Sequence, residues 1–321
     1  MRGTFPTLLR MHVFNSLLPV FLLIVLGKGL TRTSFFTPDL ARDINRLTYW
    51  VALPALLIDK ISNATFSSDE VSRISLLLIL ATLLSIGVAY LAAKLLRIER
   101  KSLGAFVQGS VRANNAFVGL PVILYAMSGL RPGLEAVATV ALAPAIIVYN
   151  TISVTVLLAH GDKQQRHPAT TVKIYARQLL TNPLIIACVI GLILNATRLL
   201  PPLPIQRSLT ALGNMALGMA LLSIGTTLSF KGIRHGLSRS LTASVIQVFV
   251  QPLIGLALAL MWNLPAIDRQ ILLIYLACPA AVASYVLADI FNSDRELAGH
   301  IIAVSTLLSA ISLTLIIALG S

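Results

Sequence analysis

The stretch VRANNAFVGLP, from Val111 to Pro121, has a counterpart in the stretch LACPAAVASY, from Leu276 to Tyr285. Each stretch places helix-breaking residues and polar side chains inside an apolar segment that is long enough to cross a bilayer. Irregular backbone at that depth persists only where protein or a water-filled cavity satisfies its polar groups. Because paired interrupted helices are typical of the substrate sites of secondary transporters, the two stretches predict a binding site at the breaks.

The composition around these stretches is typical of an integral membrane protein. Of the 321 residues, 56% are hydrophobic and only 12% are charged, whereas a soluble domain carries about 25% charged residues. A membrane-spanning helix needs roughly 20 apolar residues. We predict ten spans, at residues 13–31, 43–59, 74–96, 102–128, 134–159, 175–198, 206–229, 239–262, 269–291 and 297–319.

The formal net charge of +13 has a distribution that argues for a membrane and against a nucleic-acid partner. The basic residues are scattered over short connections rather than collected on one face. Connections after odd-numbered spans, with the adjoining helix ends, hold sixteen of them, against eight in the N-terminus and the other connections. By the positive-inside rule, the odd-numbered connections are cytoplasmic and both termini lie outside. We expect a multi-pass protein of the inner (plasma) membrane.

The two halves of the chain match at a constant offset of 164 residues, which pairs Pro19 with Pro183 and similar landmarks in two further helices. A unit of five helices crosses the membrane an odd number of times, so its second copy starts from the opposite side. We therefore predict an all-α membrane protein of ten transmembrane helices, built from two inverted five-helix repeats with broken crossing helices 4 and 9. The repeats cover residues 1–159 and 177–321, and residues 160–176 form a cytoplasmic linker.

In predicted helix 4, Asn114 and Asn115 lie near the middle of the span, followed by Gly119 and Pro121. Two adjacent amides in hydrocarbon are costly unless they are hydrogen-bonded. Proline and glycine favour a break here, because proline lacks an N–H and clashes with the preceding turn. The following half-helix would begin with unpaired N–H groups that suit a carboxylate or phosphate. The alternative is a kinked structural helix whose asparagines hold neighbouring helices together.

In predicted helix 9, Pro279 suits the first position of a second half-helix. Ser284 and Tyr285 supply hydroxyl groups one to two turns later. These three residues are therefore predicted to contribute to the same substrate site. The alternative is a proline-kinked helix with a packing role only.

Arg112 lies two residues before the asparagine pair and is predicted deep in its span. A buried arginine usually faces a cavity or a partner, and its rigid donor fork suits a carboxylate ligand. Arg112 is thus a candidate for contact with a substrate anion. The alternative is a structural pairing with Asp289, Glu135 or exposed carbonyl groups.

Candidates for ion coupling are few. Asp289 is the best candidate for proton coupling, although its place near a helix end also fits a solvated carboxylate. Gln247 and Gln251 are four residues apart and share one helix face. Gln251 is a possible coupling residue, and both glutamines also suit a role as hydrogen-bonding contacts between helices, as does Asn150. Coupling to protons or to sodium is left open.

Enzyme and metal chemistry find no support in the sequence. The five histidines lack metal spacing, and there is no GxSxG, HExxH or CxxC motif. The two cysteines, Cys188 and Cys278, lie in apolar spans and are expected to be inert. We therefore expect no catalytic residues, no metal site and no cofactor.

Six segments together resemble the auxin efflux carrier family, which includes bacterial malate and malonate permeases and the plant PIN-formed carriers. The more specific ones are NPLIIACVIGLILN and CPAAVASYVLA. The segments lie at residues 17–30, 46–58, 114–122, 182–195, 217–228 and 278–288. The resemblance covers nearly the whole chain, but the chain lacks the long cytoplasmic loop of the plant carriers and is thus closer to bacterial members.

The resemblance implies a fold like that of the bile-acid sodium symporters. Helices 1, 2, 6 and 7 would form a scaffold that also makes a homodimer. Helices 3–5 and 8–10 would form a transport unit that moves by an elevator mechanism. Carried over by motif, Asn114, Asn115, Pro121 and Pro279 would belong to the crossover site.

The sequence thus predicts a secondary transporter of a small organic anion, most simply a carboxylate such as malate or malonate. A cationic crossover with few carboxylates favours an anion over a cation. The first alternative is a sodium-coupled symporter of the bile-acid type. The alternative from another class is a membrane sensor that binds a ligand without transporting it.

Overall fold

The computed structural model describes residues 5–65, 67–160, 180–228 and 236–320, and for residues 5–16 only the backbone. Numbered along this described chain, the helices are α1 (Phe5–Leu30), α2 (Pro38–Leu47), α3 (Leu53–Ser62), α4 (Ser68–Leu95), α5 (Arg100–Val111), α6 (Leu120–Met127), α7 (Leu134–His160), α8 (Pro183–Thr197), α9 (Leu203–Thr227), α10 (Leu237–Val245), α11 (Gln251–Met261), α12 (Ala266–Leu276), α13 (Ala283–Ile290) and α14 (Arg295–Gly320). Apart from His160, the predicted linker at 160–176 lies outside the described residues.

Five described helical segments are long and apolar enough to cross a membrane. They are α4, α7, α9, the continuous segment Leu237–Met261 and α14. Shorter apolar helices occur at Leu17–Leu30, Asn115–Met127 and Pro183–Thr197. The part of the chain that the structure describes is therefore all-helical, with segments of the length and hydropathy of an integral membrane protein. Its helices fall where the hydropathy pattern places them, whereas the ten crossings and the inverted repeat stay predictions.

Three π-helical turns each lead into a helix that has proline at its second position. The turns are Thr48–Ala52, Asn115–Gly119 and Ile246–Val250, and the prolines are Pro54, Pro121 and Pro252. Proline lacks an N–H and its ring crowds the carbonyl four residues earlier. A turn widened by one residue relieves that crowding and keeps the helix continuous. Pro54 and Pro252 consequently do not break their helices.

The chain divides into two compact units. The first unit comprises Met1–Ser72, Ala116–Ile146 and Arg177–Thr227. Within it, the Asn182 side chain caps α8 by accepting from the N–H of Leu184. At the far end of α8, Asn195 donates to three carbonyl groups at the end of α3 and just beyond it, those of Ile61, Ser62 and Ala64. One helix thus uses an asparagine at each end to fix helix termini.

The second unit comprises Arg73–Asn115, Ile147–Ala176 and Leu228–Ser321. Its core includes Phe106 and Val111 of α5 and Ile246 of the third π turn. It also includes Ala280, between α12 and α13, and Ile301 of α14. Val111 and Ala280 adjoin the interruptions of the two predicted broken helices. The interruptions are therefore packed inside this unit.

Candidate functional site

Both predicted helix interruptions occur, and within the second unit they meet. The first lies between α5 and the π turn that begins at Asn115, and the second between α12 and α13. The N–H of Asn114 donates to the carbonyl of Pro279 at 2.8 Å, and the N–H of Ala281 donates to the carbonyl of Arg112 at 2.9 Å. These bonds make an antiparallel bridge centred on Ala113 and Ala280. Two short extended segments thus pair in the middle of a helical unit.

The positions of the breaks differ from the sequence prediction in two respects. Gly119 and Pro121 do not mark the first break, which comes earlier, at 112–114, and they end a π turn and begin α6 instead. Pro279 does not begin a half-helix, because it lies in the extended segment and α13 begins at Ala283. The bridge explains both differences, since pairing between the breaks requires extended backbone where helix was expected.

Backbone groups released by the breaks find partners inside the protein. Ser305 of α14 accepts a 3.0 Å hydrogen bond from the N–H of Ala280. Ser312, two turns further along α14, donates to the carbonyl of Ala277. In addition, the Gln108 amide on α5 donates at 3.0 Å to the carbonyl of Ser284 in the first turn of α13, which ties the two broken helices together. Irregular backbone in a membrane is stable only with such partners.

The two glutamines also serve the breaks. The Gln247 amide nitrogen lies 3.2 Å from the carbonyl oxygen of Cys278, and the Gln251 amide nitrogen lies 3.3 Å from that of Val111. The two side chains are bonded to each other at 2.9 Å, which confirms that they share one helix face. Gln251 also donates to the hydroxyl of Thr82.

Arg112 is buried, with 9% of its surface exposed. Its guanidinium donates to the Asn150 side-chain oxygen at 2.9 Å. The carboxylates considered as alternative partners have cations of their own. Asp289 pairs with Arg295 at an exposed helix end, and Glu135 pairs with Lys60. Asp289 therefore matches the solvated carboxylate that was the alternative to a coupling role.

Each break contributes a buried polar side chain without a hydrogen-bond partner among the described residues. Both polar atoms of the Asn115 side chain are in this state, with the residue 4% exposed. The Tyr149 hydroxyl lies close to the Asn115 side chain, but the two do not meet strict hydrogen-bond geometry. The Ser284 hydroxyl is fully buried and likewise without a partner. Unsatisfied buried polar groups of this kind are uncommon and call for an explanation, such as a ligand site.

The remaining predicted site residues fall into different environments. Asn114 is buried and joins the bridge through its backbone. Tyr285 is 42% exposed, and its ring lies near Gly299 of α14, so it does not share the buried environment of Ser284. Gly119 and Pro121 are buried in the first unit.

Several residues that bond to the break segments were not predicted from the sequence. Gln108, one helical turn before Arg112, is a polar residue in an apolar stretch and carried a usable signal. Tyr149 adjoins Asn150, a polar residue that the sequence singles out. Ser305 and Ser312 carried no signal, because small hydroxyl residues are common in membrane helices and usually bond to their own backbone.

Comparison with known proteins gives a match over nearly the whole chain. The model of a family described as "Membrane transport protein" matches residues 12–317. It confirms the resemblance to the auxin efflux carriers that the six segments indicated.

Three relatives are similar over almost their full length. An "Uncharacterized transporter" of Methanothermobacter thermautotrophicus is 25% identical over 94% of this chain and 96% of its own. A second "Uncharacterized transporter", from Methanocaldococcus jannaschii, is 25% identical over 92% of this chain and 95% of its own. A "Putative malonate transporter" of Rhizobium meliloti is 25% identical over 94% of each chain. These names describe transporters and not enzymes.

Proposed function

Because this chain belongs to the membrane transport protein family of the auxin efflux carriers, we propose that it is a secondary active transporter of a small organic anion. A carboxylate such as malate or malonate is the substrate class we favour. The name of the Rhizobium meliloti relative supports malonate as the first compound to test.

The observation that carries the proposal is the buried Asn115 side chain, whose polar atoms have no hydrogen-bond partner in the part of the chain that the structure describes. A buried polar group left unsatisfied costs about 1–3 kcal/mol. A carboxylate would accept from the Asn115 amide nitrogen, and the hydroxyl of malate would donate to its oxygen. The Ser284 hydroxyl offers a second unsatisfied group, near the positive N-terminus of α13.

The charge of the two breaks supports an anion. Residues 112–119 and 277–284, which comprise the breaks and the turns that follow them, contain Arg112 and no aspartate or glutamate. An arginine held in a site of low polarity attracts an anion strongly and binds carboxylates through a planar fork. Asn150 holds one of its nitrogens, which orients the guanidinium.

The resemblance supports further parts of the proposal. They are ten crossings in two inverted repeats, a scaffold of predicted helices 1, 2, 6 and 7, and an elevator movement of helices 3–5 and 8–10. A homodimer through the scaffold, an inner-membrane location and external termini complete it. The positive-inside rule supports the orientation.

Gln251 is poorly suited to a role in sodium coupling. A sodium site needs several free oxygen ligands, and Gln251 was one of the residues suited to supply one. Its oxygen accepts from Gln247, and its nitrogen donates to Thr82. Gln251 thus presents donors rather than a free oxygen to its surroundings.

The test is uptake of labelled malate and malonate into proteoliposomes that contain the purified protein. Runs with and without sodium, and with an imposed pH gradient, identify the driving ion. We expect saturable uptake that is lost in Asn115→Ala. Ligand binding without flux under every gradient would support the sensor alternative instead, and neither binding nor flux of either compound would overturn the carboxylate assignment.

A further inference from the structure

The two glutamines occupy a place that neither a coupling role nor simple helix packing explains. Gln247 lies in the third π turn and Gln251 begins α11, so both belong to one continuous helix. Both are fully buried. Their amide groups lie against the ends of both broken helices, which come from opposite halves of the chain.

On one side, Gln251 faces the end of α5. Its amide nitrogen lies 3.3 Å from the carbonyl oxygen of Val111, the last residue of that helix. The last carbonyls of a helix have no partner within the helix. A side-chain donor at this point stabilises a helix end that is buried in the protein.

On the other side, Gln247 faces the end of α12. Its amide nitrogen lies 3.4 Å from the carbonyl oxygen of Leu276, the last residue of α12, and 3.2 Å from that of Cys278 in the break. These surroundings consist of acceptors, so only the orientation with the NH₂ group toward the break fits. The Gln247–Gln251 bond of 2.9 Å then joins the two ends.

We infer that Gln247 and Gln251 form an amide clasp that fixes the two break segments relative to each other. They are positioning residues for the site, and this inference rests on the proposed function. The bridge between Ala113 and Ala280 holds the segments at one point. The clasp holds the preceding helix ends at a second point, which sets the angle at which both segments carry Arg112, Asn115 and Ser284.

Cys278 provides a readout that needs no substrate. Its thiol forms no disulfide and is fully buried in the break. The backbone carbonyl of Cys278 accepts a hydrogen bond from the Gln247 amide. A buried thiol reacts with maleimide only when the protein opens locally. In a Cys188→Ala background, the modification rate therefore measures how firmly the clasp holds this break.

The experiment compares Gln247→Met and Gln251→Met with the Cys188→Ala parent. Methionine keeps the length of glutamine and removes the donors. We expect maleimide modification of Cys278 to accelerate about tenfold in Gln247→Met, because the lost hydrogen bonds lower the free energy of opening. We expect the KM for malonate to rise about tenfold in both variants with a smaller change in maximal rate, because misplaced groups weaken binding.

Gln206→Met is the matched control. Gln206 lies in the first unit and its amide also donates to a backbone carbonyl, that of Pro201. We expect this variant to change neither the Cys278 rate nor the KM. If Gln247→Met does not fold, as judged by gel filtration, the decision passes to Gln251→Met, which removes both the acceptor of Gln247 and the donor to Val111. We expect faster modification of Cys278 in this variant too, because the two helix ends are no longer joined.

The outcomes separate the clasp from the transport proposal. A Cys278 rate within about twofold of the parent in the folded glutamine variants overturns the clasp, whatever the transport result. An accelerated Cys278 rate in a protein that neither binds nor transports malate or malonate supports the clasp and overturns the substrate assignment. Acceleration by Gln206→Met as well would reduce the effect to general destabilisation and also overturn the clasp.

Discussion

The guanidinium of Arg112 donates a 2.9 Å hydrogen bond to the side-chain oxygen of Asn150. The relationship joins the first break to α7, and it gives Arg112 a neutral partner that leaves its positive charge in place. A carboxylate at position 150 would offset the positive charge of Arg112 while keeping the shape of the side chain.

Asn150→Asp should accordingly raise the KM for malonate by about tenfold or more, because a fixed negative charge next to Arg112 competes with the substrate anion. Asn150→Ala, which removes only the hydrogen bond, should have a smaller effect. The measurement is uptake into proteoliposomes over a range of malonate concentrations. An unchanged KM in Asn150→Asp would mean that Arg112 has a structural role only.

Asn115→Ala should abolish uptake without loss of stability. The side chain forms no hydrogen bond among the described residues, so its removal sacrifices none and relieves an unsatisfied buried group. The melting temperature in detergent should stay the same or rise.

Ser305→Ala is the contrasting variant. It strips the Ala280 N–H of its acceptor, and we expect a loss of about 1–3 kcal/mol in the free energy of unfolding. A marked drop in melting temperature for Asn115→Ala would show that Asn115 stabilises the fold, and would weaken its assignment to substrate.

Asn195→Ala should destabilise the protein by about 1–3 kcal/mol, because the carbonyls of Ile61, Ser62 and Ala64 share this one donor group. Thr197→Ala is a suitable control, since the exposed Thr197 hydroxyl bonds only within its own helix. Thermal unfolding in detergent distinguishes the two. Equal melting temperatures would indicate that the end of α3 is held by other contacts.

Gly27→Ala should destabilise the first unit by about 1–3 kcal/mol through overpacking. A Cβ atom there would overlap the backbone carbonyl of Leu222, and backbone cannot move aside as a side chain can. Gly218→Ala is the control, because a Cβ atom at Gly218 meets nothing within 4 Å. Alanine in that helix interior should be neutral or stabilise by up to about 1 kcal/mol. A stable Gly27→Ala protein would argue that α1 and α9 can separate at no cost.

The sequence predicted the helices well because their signal, hydrophobic length, is the same property that drives burial in a membrane. It also predicted two interruptions and the shared face of Gln247 and Gln251. The bridge escaped prediction because Ala113 and Ala280 pair through backbone atoms, which leave no trace in side-chain chemistry. Pro279 was misplaced for the same reason, since its preference for a helix start yields to the backbone pairing.

The site was predictable only in its polar residues. Arg112 and Asn115 stood out because polar groups are rare at that depth. The residues around them did not stand out. A partner such as Ser305 is recognisable only once the fold has placed it beside the group that it bonds to. Tyr285 and Ser284 looked equivalent in sequence, and it is the direction of α13 that buries one and exposes the other.

The π turns before Pro54, Pro121 and Pro252 also affect how sequences of such helices are compared. Each turn contains one residue more than an α-helical turn, which amounts to a single-residue insertion that the helix absorbs. Beyond it, every side chain is rotated by about 100° relative to an uninterrupted helical wheel. A wheel drawn through Ile246–Val250 at constant pitch would therefore assign the lipid-facing and core-facing sides of α11 to the wrong residues. Alignment of two such helices requires a one-residue gap wherever only one of them contains the π turn.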